Sequence, residues 1–439
     1  MFIRASSAFV GALLFCTATV ASAQAQSQLS AGQVFDLAQQ LAADGKSDQS
    51  FELLKVVTQD ANADYRAEAR VRIARLLLER GDKRGALHWY RELLDEMPNA
   101  AAVRIEVALL LASLGEERAA AAELRRAEAI GLPQEVSRTI HNASAIFWNK
   151  RPFGVDLSVG LAPDTNINSA TSSDTVTLFG LPFQLSDDAM AKSGLGLTFD
   201  GSVNVRRPDS DVGQFIVQAG LAGRIYRDNR FNDVTFSGGI GPELSLGGGA
   251  RFRPALMLGR RIYGTDRLYD FYGLSAVAQF ASGRRAAFTI NGTLVKFNYA
   301  LPRREQSGPA FTLGAAYDRA LSARLSVRAS LTGARTTANN PQFATKNLSA
   351  DLTVSRDLGH WTVWSRGSYT VLKGDAAYAF FGMPRDDRIV GLDAGLIYRR
   401  VSVLGLSPQL QVTFVKAASS LPLFRYERLR SELSVTKSF

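Results

Sequence analysis

Near Trp148 the spacing of apolar residues changes from a period of about 3.6 to a period of 2. A helix and a strand cannot share one period, so the chain joins a helical part to a part built of alternating strands. Its 439 residues leave room for both, with the second part the larger.

The N-terminus reads as a secretory signal peptide over residues 1–23. Arg4 precedes an apolar stretch from Ala8 to Val20, and Ala21-Ser22-Ala23 supplies small residues for cleavage after Ala23. About 13 apolar residues are too few to span a bilayer. Cys16 lies inside this stretch behind the bulky Phe15, where a lipoprotein site needs a small residue, so it reads as apolar filler removed with the signal. The remaining chain has no cysteine, which excludes disulfides, thiol chemistry and cysteine-based metal sites. No later run of 18 apolar residues suggests a membrane helix.

The net charge of +10 is uneven, since residues 151–439 carry 34 of the 51 basic and 23 of the 41 acidic residues, leaving 17 and 18 before them. The arginines of the basic part alternate with apolar residues along strands and do not cluster. With a secretion signal as well, nucleic acid is not an expected partner.

From Ala31 to about Phe147 the sequence reads as helix pairs separated by glycine turns, with Gly81 and Gly115 spaced by 34, the tetratricopeptide period. With Ala67 as the first position of a repeat, Ala74, Leu77, Gly81, Ala86, Tyr90, Leu93 and Pro98 take the small, large, turn and terminating positions. The next unit repeats this through Ala108, Leu111, Gly115, Ala120, Leu124 and Ala127, with Pro133 one place late. Small residues let two helices approach, glycine permits the turn and proline ends the second helix. Gly45 opens an earlier, weaker unit, and a last helix is expected over residues 133–147. Such arrays form concave grooves for peptide segments; a spacer or a dimer contact is the plainer reading.

From Phe153 onward one apolar face alternates with one polar face. Phe215, Val217, Ala219, Leu221, Gly223 and Ile225 stand against Gln214, Gln218, Gly220 and Arg224, and Leu325, Val327, Ala329 and Leu331 against Ser326, Arg328, Ser330 and Thr332. Three features favour a membrane barrel over a soluble sandwich. Segments such as 211–226 and 284–299 exceed the ~5 to 6 residues usual in soluble sheets. Trp361 and Tyr369 share a face, about 20 Å apart along the membrane normal at ~3.3 Å per residue and ~40° tilt, close to the spacing of interfacial girdles. The last segment sets Leu429, Leu433, Val435 and Phe439 on one face and Arg428, Arg430, Glu432, Ser434, Thr436 and Ser438 on the other. An aromatic final residue resembles the insertion signal of bacterial outer-membrane barrels, for which Leu433, Val435 and Phe439 are the candidates; Lys437 departs from it.

Strands are expected near 153, 192, 212, 231, 250, 268, 284, 309, 323, 344, 359, 388, 406 and 425, which makes fourteen. Tight connections at 206–211, 247–249, 282–284 and 357–359 alternate with longer ones at 163–191 and 374–387. The fold class expected is therefore α + β multidomain: a TPR-like α-solenoid over 27–147, followed over 150–439 by a 14-stranded antiparallel transmembrane β-barrel.

Motifs for catalysis are weak. Gly45-Lys46-Ser47 resembles the end of a phosphate loop, but Gln40 stands where the first glycine is required. Asp164-Thr165-Asn166-Ile167-Asn168 begins like a calcium loop, yet Ser169 and Thr175 replace its glycine and closing acid. His88, His141 and His360 lack metal-ligand spacing, and His360 with Ser365, five apart on a strand, face opposite sides. No enzyme, metal or cofactor is expected.

Signal peptide, tetratricopeptide array and a barrel opening with Phe153-Gly154-Val155-Asp156-Leu157 and continuing to Ala162-Pro163-Asp164-Thr165-Asn166-Ile167-Asn168 together resemble the surface lipoprotein assembly modulator (Slam) family. The resemblance implies an outer-membrane translocator, its repeats in the periplasm, that moves lipoproteins or related secreted proteins to the cell surface. Implied partners are that cargo, outer-membrane lipids and the barrel-insertion machinery. Side-chain hydrogen bonds from Asp164, Asn166 and Asn168 are expected to shape an exit loop after Pro163; an Asx-turn-rich loop of purely structural role is the other reading. Fourteen strands leave a narrow lumen, too small for a folded 100-residue domain of radius of gyration ~13 Å, so cargo would cross extended or through an opened seam. A polysaccharide exporter and a passive porin are the competing readings, for both of which Arg224 and Arg328 would supply a cationic lumen.

Overall fold

The computed structural model describes residues 29–131, 153–178, 181–210, 213–247, 250–400 and 406–437. The signal segment with Ala23, the expected helix at 133–147 and Phe439 lie outside the described residues.

Six helices open the described chain: α1 (Ala31–Ala43), α2 (Ser47–Val57), α3 (Ala63–Glu79), α4 (Lys83–Glu96), α5 (Ala101–Ser113) and α6 (Glu117–Ala129). They pack as three antiparallel pairs whose turns are built alike. Gly45, Gly81 and Gly115 have φ of +78°, +79° and +81°, the left-handed conformation that ends a helix. After each, the next amide reaches back to close the turn, Lys46 to Leu41, Asp82 to Leu77 and Glu116 to Leu111, at 2.8, 2.8 and 2.9 Å. Starts are capped by Ser30, Asn62 and Asp82 side chains, the first with Gln33 in a reciprocal capping box. Between the pairs, Ala69, Ile73, Ala74, Ala86, Leu111 and Ala120 are fully buried; alanine at the crossing points lets the backbones close up.

The rest is a closed antiparallel barrel of fourteen strands. They are β1 (Phe153–Asp164), β4 (Gly194–Ser210), β5 (Gly213–Tyr226), β6 (Asp233–Ser245), β7 (Arg251–Tyr263), β8 (Asp266–Ala281), β9 (Ala286–Tyr299), β10 (Gly308–Ala320), β11 (Leu325–Thr336), β12 (Thr345–Leu358), β13 (Trp361–Ala377), β14 (Pro384–Tyr398), β15 (Leu406–Ser419) and β16 (Tyr426–Lys437). A two-stranded hairpin, β2 (Thr175–Leu178) with β3 (Leu181–Gln184), stands in the β1–β4 connection. Neighbours in sequence are neighbours in the wall, and β1 closes on β16.

Alternation sends Leu195, Leu197, Leu348, Leu352, Leu410, Val412, Leu433 and Val435 outward, where they are exposed. A wall with leucine outside and Ser349, Asp351, Thr353 and Arg366 inside requires an apolar solvent around it, which is a bilayer. Outward aromatics pair near one end of the wall, Trp361 with Tyr398 at 4.4 Å and Phe280 with Phe288 at 5.4 Å between ring centres. Tyr369 lies further along β13, and outward charges begin just beyond it, with Lys373 on the same strand and Lys346 as its register partner. Trp361 and Tyr369 thus bracket an apolar band.

Two connections differ from the expectation, because polar strand ends read as loops. β4 continues through Pro208 to Ser210, and β13 and β14 extend to Ala377 and from Pro384, which shrinks the expected 374–387 loop to residues 378–383. Long-loop connections carry a short 3-10 turn in four further cases, Asn229–Phe231, Arg304–Gln306, Pro341–Phe343 and Pro422–Phe424. The opposite end has mostly short turns, and the helices lie there; the exceptions are the two-residue β7–β8 turn at 264–265 on the long-loop side and the β14–β15 connection at 399–405 on the helix side.

Candidate functional site at the two mouths of the barrel

At the short-turn mouth, α4 and α6 are held to the barrel by charged side chains. Asp95 on α4 accepts from Arg399 Nη2 at 2.8 Å, is 2.9 Å from His360 Nδ1, and its carbonyl accepts from Arg324 Nη2 at 3.0 Å. Glu128 of α6 lies 3.8 Å from Arg284 in the β8–β9 turn. Deeper in, Arg104, Glu123, Arg126 and Asp357 form a chain of alternating charges at 2.6, 2.7 and 2.8 Å, with each side chain no more than 10% exposed. Arg104 also donates to the Pro98 carbonyl at 2.9 Å, and Thr362 Oγ1 to Asp357 at 2.8 Å. Asp357 faces inward at the end of β12, so Arg126 reaches the inner rim of the mouth.

Electrostatics follow from this packing. Burial pushes the Glu123 carboxyl up, but Arg126 and Arg104 outweigh it and hold Glu123 below the ordinary carboxylate range. At Asp95 burial wins over Arg399 and His360, and its carboxyl is raised. Glu96, gripped by Arg66 and Arg70 within the helical domain, is lowered to about 2. The cleft among Arg91, Asp95, Arg104, Glu123, Asp357 and Arg399 retains about 10 Å3, room for one water at most, so it is an interface and not a ligand pocket.

At the long-loop mouth, the residues after β1 form a second hydrogen-bonded cluster. Asp164 pairs with Arg428 of β16, whose Nε lies 3.0 Å from both carboxylate oxygens, and it accepts the Asn166 amide at 3.0 Å. Asn166, 1% exposed, donates to the Ala170 and Glu427 carbonyls at 2.8 and 3.0 Å and accepts from the Ala170 amide at 3.0 Å. Asn168 bridges the far side of the loop, donating to the Met190 carbonyl at 2.7 Å and accepting from the Lys192 amide at 3.0 Å. The bonds to Arg428, Glu427, Met190 and Lys192 tie residues 164–170 to β16 and to the end of the same connection, and those among Asp164, Asn166 and Ala170 brace the loop itself. Pro163 sits just before them, on the outward face.

Among the other residues singled out from sequence, Ala74, Ala86 and Ala120 are fully buried, Tyr90 is buried, and Gly81 and Gly115 make the turns. Leu433 and Val435 face outward and register with Leu161 and Val159 of β1. Arg328 is paired with Asp318 at 2.9 Å, while Arg224 registers with Asp233 on the inner wall. Sequence reasoning did not single out Asp95, Glu123, Arg126, Asp357, Arg399 or Arg428. The one signal for the first set was the presence of Glu123 and Arg126 three apart on the side of α6 that a helix pair would bury.

A family model described as surface lipoprotein assembly modifier matches residues 153–439. Solved structures with a similar wall include a FadL homologue of Pseudomonas aeruginosa, 11% identical with a TM-score of 0.39, covering 73% of this chain and 94% of that one. Another is the Pseudomonas putida toluene transporter TodX, 10% identical with a TM-score of 0.35, covering 65% and 90%. OprD of Pseudomonas aeruginosa is 9% identical with a TM-score of 0.36, covering 66% and 94%. Among curated proteins there is no match.

Proposed function

The chain belongs to the surface lipoprotein assembly modifier family, an outer-membrane family of lipoprotein surface exposure, and from that premise we propose that its helical array receives cargo in the periplasm and hands it to the barrel for delivery to the cell surface. The short-turn mouth is then periplasmic and the long loops are outside, the usual asymmetry of such barrels. The observation that carries the reading is the buried Arg104–Glu123–Arg126–Asp357 chain. It fixes a repeat array at the rim of the lumen, where a captured segment has only a short distance to travel. An array serving as a free spacer would have no need of a charge network that is costly to bury.

The exporter and porin readings draw on lumen arginines. Those arginines largely face carboxylates of the same wall, Arg328 with Asp318, Arg366 with Asp393, Arg261 with Asp233 and Arg253 with Glu243. Paired guanidinium groups make a polar wall and not a ladder for a polyanion. Co-expression with a candidate lipoprotein, followed by protease shaving of intact cells with and without residues 27–145, tests the proposal. Surface exposure should depend on the array; equal exposure without it would reject the capture role.

A further inference from the structure

The place where β1 meets β16 is built differently from the rest of the wall. Among the described residues these strands register at five positions, Ser158–Thr436 to Leu161–Leu433 and then Asp164–Arg430, whereas β1 registers with β4 at twelve. The interruption falls at Ala162 and Pro163, and the cause is local. Thr165 N–H donates to the Leu429 carbonyl at 3.0 Å, so every second residue of β1 aims its amide at β16. Pro163 holds the next such position and has no N–H to give. A second interruption, at Pro242 and Pro254 between β6 and β7, is flanked by ten paired positions.

Facing the bilayer at this spot is a shallow, open notch of about 400 Å3 lined by Pro163, Asp164, Thr165, Leu195, Leu429 and Ser431. Outward residues on both sides of the seam are apolar, Val159 and Leu161 against Val435 and Leu433. Inward residues from Ser158 to Ala162 on β1 are small, as are Ser434 and Thr436 opposite, and at Gly160 a Cβ would come within 2.6 Å of the Ser434 Cβ. Above the notch the seam is closed by side chains, the Asp164–Arg428 pair and the Asn166 bond to Glu427.

We propose that this seam is the exit and the notch the binding site for the acyl anchor of a lipoprotein cargo, with Asp164–Arg428 as the latch. The inference rests on the export reading above. It supplies what a closed polar lumen lacks: acyl chains at ~0.8 kcal/mol per methylene strongly prefer the bilayer, and from inside a barrel they reach it only between strands. Among the described residues β1–β16 has the fewest register pairs, so its break opens the fewest ladder bonds, and beside the notch it is held by one ion pair and the Asn166–Glu427 hydrogen bond. The Ala-Pro-Asp-x-Asn-Ile-Asn run then has one physical meaning, with proline weakening the ladder and aspartate and asparagine closing it again.

The test locks the seam. Ser158 and Thr436 are inward-facing register partners at a non-hydrogen-bonded position, where Cα atoms lie close enough for a disulfide. The full chain carrying Ser158→Cys and Thr436→Cys is expressed with a lipoprotein cargo, and separately with the same cargo lacking its acylated cysteine. Under reducing conditions both cargoes should reach the outside, which also shows that the variant folds. Under oxidising conditions surface display of the acylated cargo should be lost and that of the unacylated cargo retained. Ser431→Phe, which fills the notch and leaves the charges of Asp164 and Arg428 in place, should likewise reduce display of the acylated form alone. Display of acylated cargo through an oxidised seam would overturn the proposal, as would equal loss of both cargoes, which would make the seam a route for the polypeptide. A notch occupied only by membrane lipid is indicated if Ser431→Phe affects neither cargo, and that outcome also overturns it. Failure of the wild-type chain to display either cargo would instead reject the export reading itself.

Discussion

Each mouth of this barrel is held by a buried aspartate–arginine pair, and the two pairs do opposite jobs. At the short-turn mouth Asp357 binds Arg126, which belongs to another domain and is shared with Glu123. At the long-loop mouth Asp164 binds Arg428, which belongs to the strand across the seam and among the described residues finds only Ser169 besides as a hydrogen-bond partner, at 3.2 Å. A charge inside a network tolerates change, because a second partner remains. A charge with one partner behaves as a latch, closed when paired and costly when alone. The same chemistry therefore makes a permanent joint at one end and a breakable one at the other.

The sharpest way to break the comparison is to remove the shared cation. Arg126→Ala removes the cation that bridges Glu123 and Asp357, leaving Arg104 on Glu123 and the more distant Arg399 beside Asp357, and the docking of helices on barrel should weaken by about 3–5 kcal/mol. Limited proteolysis of the purified protein should then cut within residues 132–152 far faster than in wild type, with the barrel remaining resistant. An unchanged cleavage rate would mean that the network does not hold the domains together. A smaller loss, about 3 kcal/mol, is expected for Asp164→Ala, which strands Arg428 and removes the cap on the Asn166 amide. It should show as a lower temperature for the gel-mobility shift of the barrel, with the cleavage rate in residues 132–152 untouched.

A finer contrast replaces each acid by its neutral isostere. Asp357→Asn leaves Arg126 with Glu123 at 2.7 Å, while Asp164→Asn leaves Arg428 with no carboxylate at hydrogen-bond distance among the described residues. The second substitution should therefore cost more than the first, by about 1–2 kcal/mol. Paired thermal melts of the two variants against wild type check the order, and a larger loss at Asp357 would reverse the assignment of joint and latch.

Much of this architecture was legible in the sequence because period and turn chemistry are local properties. Gly45, Gly81 and Gly115 announce helix ends by themselves, and all fourteen barrel strands could be placed from alternation to within a few residues of where they begin. Strand ends were harder: Pro208, Lys373 and Asp375 are polar or turn-forming by type, yet lie in wall that extends beyond the apolar band. The motif at Asp164, Asn166 and Asn168 stood out as a run, but its partner Arg428 is 264 residues away and carries no local mark. Asp95 and Asp357 were invisible for the same reason. A charge on a surface helix or beside a turn reads as solvated until the two domains are brought together, and nothing in a local pattern specifies that docking.

The weakest expected effect separates the acids within the joint. Glu123 is held below its ordinary value of 4.5 by Arg126 and Arg104 despite its burial, so its contribution to docking is complete above pH 4.5 and is lost as pH falls through its lowered value. Asp95 has the opposite sign: burial raises it above 3.8, so its contribution is complete below pH 3.8 and is lost as pH rises through the raised value. As pH falls, protonation of Asp95 offsets part of what Glu123 loses, and wild-type docking should weaken only gradually with acid. Asp95→Asn removes the offset. Its docking, followed by the rate of cleavage in residues 132–152 with an acid-active protease, should decline more steeply below pH 4.5 than that of wild type, whatever its strength at neutral pH. Equal slopes would mean that Asp95 titrates as an ordinary surface carboxylate, and the joint would then rest on the Glu123–Arg126–Asp357 chain alone.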